Sequence, residues 1–75
     1  MNDLRKVCKI ISNDDVFWDN NWFICDAINW LQNNYCKFTI SCNNGEYRIV
    51  VNSVCNVFDK SLIGALVKAI IKCHS

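Results

Sequence analysis

The feature that most constrains this chain is the dipeptide Asn44-Gly45, set between two alternating runs at residues 35–42 and 46–52. A two-residue type I′ turn needs positive φ at both central positions. Asparagine and glycine tolerate that, and the turn's twist suits the strands it joins. Placing the turn there fixes the register. On one face Cys42 lies opposite Tyr47, Ile40 opposite Ile49 and Phe38 opposite Val51. On the other, Ser41 lies opposite Arg48, Thr39 opposite Val50 and Lys37 opposite Asn52. The first face is apolar and the second mostly polar, so a slip of one residue would scramble both.

The flanking segments read as helices and one more strand. Asp3 caps a first helix from Leu4 to about Ile11, with Leu4, Val7, Cys8 and Ile11 at helical spacing and Arg5, Lys6 and Lys9 on the solvent side. Residues 12–15 break it, and Val16, Phe17 and Trp18 follow as a short irregular piece closing one end of the core. Asp19 caps a second helix running through about Asn33. Its apolar side holds Phe23, Ile24, Ala27, Ile28, Trp30 and Leu31; Asp26, Asn29, Gln32 and Asn33 lie opposite. Trp22 falls among the polar residues, where it either tucks back against Trp18 or stands out as an interface anchor.

After the hairpin, Ser53 to Phe58 reads as a third strand and Asp59-Lys60-Ser61 as a capping turn. A last helix runs from Leu62 to about Cys73, with Leu62, Ala65, Leu66, Ala69, Ile70 and Cys73 as its buried stripe and Gly64 removing bulk beside it. Val67 and Ile71 widen that stripe beyond what one contact requires. The width predicts either a deep seat against the sheet or a flank shared with a second copy, hence a homodimer. The expected fold is a single α+β domain over residues 1–75. A three-stranded antiparallel sheet, with the central hairpin at 35–52, packs with three helices in the order α-α-β-β-β-α.

Charge and cysteine content narrow the function. The 75 residues include eight basic and seven acidic side chains for a net charge of +1. Non-specific nucleic-acid binding needs a dense basic patch and is not expected. No apolar run approaches the roughly 20 residues of a membrane span. Residues 1–6 lack the apolar stretch of a secretory signal, which predicts a cytosolic chain with its thiols reduced. Six cysteines would otherwise suggest disulfides, but Cys8, Cys36 and Cys42 fall at core positions, where free cysteine behaves as a small hydrophobe. There is no Cys-x-x-Cys pair, and the only histidine is His74, so neither zinc nor any other cofactor is expected.

Catalysis is not expected either. A cysteine nucleophile would have to rely on His74, close to the end of the chain, and Gly45 and Gly64 are too few for a phosphate loop. Asp14, Asp15 and Asp19 read as a helix stop and a helix cap rather than a magnesium site. What remains is surface. The outer hairpin face presents Lys37, Ser41 and Arg48, and Trp18 and Trp22 are the aromatics that the core leaves only partly explained. These five are the candidate partner-binding residues, because the planar fork of arginine suits carboxylate or phosphate.

Three segments carry a family resemblance. They are Phe17-Trp18-Asp19 leading into an amphipathic helix, the strand-turn-strand at residues 38–51, and the alanine-bearing terminal helix led by Ser61. Together they resemble small phage proteins with a phage ABA sandwich domain, although Leu62 stands where such proteins often carry proline. The resemblance implies a non-enzymatic phage protein made in the host bacterial cytoplasm. Three roles fit: an anti-defence inhibitor that blocks a bacterial immune protein (an anti-CRISPR, for example), a sponge that sequesters a cyclic nucleotide signal, or an accessory phage protein.

Overall fold

In the computed structural model, which describes residues 3–12, 19–35, 37–52 and 55–74, Asn44 and Gly45 adopt φ of 55° and 76°. Both are the left-handed values that a type I′ turn requires. The turn joins β1 (Phe38–Asn43) to β2 (Glu46–Val51), and the pairing runs from Phe38 opposite Val51 to Asn43 opposite Glu46, in the expected register. At the far end the Asn52 amide donates to the Lys37 carbonyl at 2.8 Å, and the Asn52 side chain accepts from the Lys37 amide at 3.0 Å.

Asn52 itself has φ of 48°, and β3 (Cys55–Asp59) pairs antiparallel with β2. The third strand therefore extends to Asp59 rather than stopping at Phe58, and positions 53 and 54 lie outside the described residues. The sheet order is β1-β2-β3.

The helices are α1 (Asp3–Ser12), α2 (Asn20–Asn34) and α3 (Leu62–His74), which completes the order α-α-β-β-β-α. The Asp19 carboxylate accepts from the Trp22 amide at 2.8 Å and caps α2. Ser61 does the same for α3, its hydroxyl accepting from the Gly64 amide at 3.0 Å. The turn before it is tied by Asp59, which accepts from the Ser61 amide at 2.9 Å and pairs with the Lys68 ammonium at 3.0 Å. A Cβ at position 64 would sit 2.5 Å from the Asp59 carboxylate, which would have to shift from its contacts with Ser61 and Lys68.

The layers follow from these contacts. One side of α3 lies on β2 and β3, and the other receives α1 and α2. Its Ala65, Leu66, Ala69 and Ile70 are fully buried between Ile49, Val51, Cys55 and Val57 of the sheet and Val7, Cys8, Phe23, Ala27 and Leu31 of the outer helices. Val67 and Ile71, which widen the apolar side of α3, are half-buried.

Coverage fades toward β1, the strand beyond the reach of α3. Phe38 and Ile40 are half-buried, and Cys42 at the hairpin tip is exposed. The expectation that Cys42 is a core residue is therefore wrong: it points to the inner side, but none of the described helices extends over it. Cys8 is buried as expected, while Val16, Phe17, Trp18 and Cys36 lie outside the described residues.

Candidate functional site

The outer face of the sheet is where the polar alternation leads. Strand pairing places Ser41, Arg48 and Phe58 in one row across β1, β2 and β3, with Val50 and Asn56 paired in the next row. Ser41, Arg48, Asn56 and Phe58 are all exposed. Phe58 is the exposed large hydrophobic among the described residues, at 47%. It faces outward because Cys55 and Val57 take the inward positions of the same strand.

Arg48 is held from two directions. Its Nε donates to Asn56 Oδ1 at 3.0 Å, and its guanidinium carbon lies 5.6 Å from the centroid of the Phe58 ring. An arginine over an aromatic ring at this separation gains about 0.5–1 kcal/mol at an exposed site. Among the described residues, the two Nη groups have no hydrogen-bond partner. The side chain is thus fixed by its Nε and its face while the forked end stays available. Together with Ser41, Asn43, Asn44, Glu46 and Phe58, Arg48 lines a cleft of ≈ 350 Å³ beside the hairpin turn. Both signs of charge are present there, with an apolar ring at the margin.

The other candidate residues separate from this centre. Ser41 is Arg48's cross-strand partner and shares the cleft. Lys37 is exposed, but it lies just before β1, four positions from Ser41, about 13 Å at strand rise. It lines a different hollow with Gln32, Tyr35, Phe38 and Thr39. Trp22 is half-buried on α2 and packs on the core, its ring centroid 6.4 Å from that of Phe23. It belongs to the helix side, across α3 from the sheet, so it does not extend the Arg48 surface. Trp18 lies outside the described residues.

Phe58 and Asn56 are the two contributors that sequence reasoning missed. The signal was the alternation of Cys55 and Val57, which places the even positions of β3 on the face that carries Arg48.

Among the described residues no group of three or more histidine, cysteine or acidic side chains could hold a metal ion. No helix among them is long and apolar enough to cross a membrane. No family model, curated protein or solved structure matches the chain.

Proposed function

We propose that this protein is a phage-encoded, non-enzymatic inhibitor that docks its open sheet face on a bacterial immune protein, such as a CRISPR effector, in the host cytoplasm. The observation that carries the binding part is the Arg48–Phe58 pair. Arginine and large aromatic side chains supply much of the affinity at protein interfaces, and a side chain already held in place loses less freedom on docking. Arg48 is held by Asn56 and Phe58 with its forked end free to meet a carboxylate. The phage origin is supported by the resemblance to phage ABA sandwich proteins, and the anti-defence role by what a small phage protein without catalytic residues can do by occupying a partner's surface.

A protein partner suits this surface better than a cyclic nucleotide does. Each phosphodiester brings one negative charge, and in the cleft it would meet a single cation, Arg48, beside the Glu46 carboxylate. A protein surface can match both signs and also cover the Phe58 ring.

The test is plating of a CRISPR-restricted phage on hosts that express the chain. Plating should be restored by the wild type and lost with Arg48→Ala and with Phe58→Ala. Arg48→Ala should weaken partner affinity by about 2 kcal/mol or more. It should leave folding stability within about 0.5 kcal/mol, as exposed substitutions usually do. Full activity in both variants would place the interface elsewhere, and no activity against any defence system would leave an accessory phage protein. Saturable heat on titration with cyclic oligonucleotides would favour the sponge.

A further inference from the structure

On the helix side, the start of β3 meets the last turn of α3. There the Cys73 thiol lies 3.4 Å from the Cys55 sulfur, both as free thiols. The approach is held by backbone as well as by packing, because the Tyr35 hydroxyl donates to the Cys73 carbonyl at 3.1 Å. Cys55 is only 4% exposed, whereas Cys73 is partly open to solvent. A disulfide needs the two sulfurs at about 2.05 Å, so they must close by roughly 1.4 Å. The other described cysteines are differently placed: Cys25 on α2 and Cys42 at the hairpin tip are exposed, and Cys8 is buried on α1.

From this geometry we infer that Cys55 and Cys73 form an oxidation site that closes to a disulfide by exchange with a small-molecule disulfide of the glutathione type, stapling β3 to the end of α3. Cys73, the more accessible thiol, reacts first. It gives its proton to solvent and attacks one sulfur of oxidised glutathione. A mixed disulfide forms on Cys73, and one glutathione thiolate leaves. Cys55 then loses its proton and attacks the Cys73 sulfur, forming the Cys55–Cys73 bond and expelling the second glutathione thiolate. Two protein thiols are oxidised by two electrons, one glutathione disulfide is reduced to two thiols, and the released protons neutralise the leaving thiolates.

Burial, followed by the Cys55 thiol, pushes Cys73 up to about 11, so its thiolate is scarce at neutral pH. Its attack on the disulfide is therefore slow at neutral pH. Once closed, the bond joins residues 18 apart in sequence and restricts the unfolded chain.

The experiment uses the full folded chain, equilibrated in glutathione buffers of stepped oxidised-to-reduced ratio, acid-quenched, alkylated after denaturation and mapped by mass spectrometry. The expected result is a Cys55–Cys73 cross-linked peptide as the first to appear, lighter than its reduced parts by two hydrogens. Closure should raise the thermal midpoint by about 10 °C or more. Cys73→Ser should abolish both the cross-link and the rise. A different pair forming first, a glutathione adduct persisting on Cys73, or both thiols staying alkylatable in the most oxidising buffer would overturn the inference. The mapping on wild-type protein decides this even if Cys73→Ser does not fold.

Discussion

Replacing Gly45 isolates the backbone cost of the hairpin turn. Gly45 has φ of +76°, and a Cβ built there would meet nothing within 4 Å, so neither steric contact nor burial enters. An L-residue held in this left-handed region costs about 1–2 kcal/mol. The stiffer unfolded chain of alanine returns about 0.4–1 kcal/mol. Gly45→Ala should therefore destabilise the domain by about 1 kcal/mol, out of a total of roughly 3–5 kcal/mol for a core of this size. A chemically synthesised chain with D-alanine at position 45 reverses the sign. Its preferred φ is positive, so the unfolded-state gain remains without the cost, and stability should rise by up to about 1 kcal/mol. Urea denaturation followed by far-UV circular dichroism would measure all three chains at unchanged m-value. A D-alanine chain no more stable than the L-alanine chain would refute the turn geometry, and with it the register that places Ser41 opposite Arg48.

Three further predictions concern the core, the β3–α3 corner and the thiols. Leu66→Ala removes a fully buried side chain from the helix that both layers share, and should cost about 2–5 kcal/mol, enough to abolish most of the cooperative thermal transition. A melt shifted by only a few degrees would contradict that placement of α3. The Ser61 amide, and then Lys68, hold the Asp59 carboxyl below its ordinary range. Its stabilising effect is therefore present above the unfolded value near 4 and lost as pH falls through the lower folded value. The stability gap between wild type and Asp59→Asn should narrow steadily below about pH 4, and a gap unchanged in strong acid would count against the Asp59 contacts. At neutral pH, iodoacetamide should label exposed Cys25 and Cys42 well before Cys73, whose thiol sits at about 11; equal labelling rates would show that the last turn of α3 does not shelter Cys73 against Cys55.

The parts of the fold that could be read in advance depend on neighbours in sequence. The Asn44-Gly45 turn and the alternation beside it determine the β1–β2 register, and Asp19 and Ser61 mark helix starts by their own hydrogen bonds. The misreading at Cys42 and the choice left open at Trp22 both involve a third element. Cys42 has the correct inward parity but is exposed, because α3 covers β2 and β3 and not the hairpin tip. Trp22 sits on the polar arc of a helical wheel yet packs on the core, because α2 meets both α1 and α3. The partnership of Arg48 with Phe58 required the β2–β3 register, which no turn motif specifies. The meeting of Cys55 with Cys73 likewise depends on how α3 crosses the sheet.

The central position of α3 also bears on how the chain is made. Elements emerge from the ribosome in sequence order, and α3 follows β3. A nascent chain that ends after Asp59 has a sheet, with Ile49 and Val51 facing nothing, and two helices whose Phe23 and Leu31 have lost their main cover. Neither half can complete a core before α3 has emerged, so folding should await it, and a chain stalled before α3 emerges should stay protease-sensitive. A stop codon at the start of α3 would remove the layer through which the other two are joined.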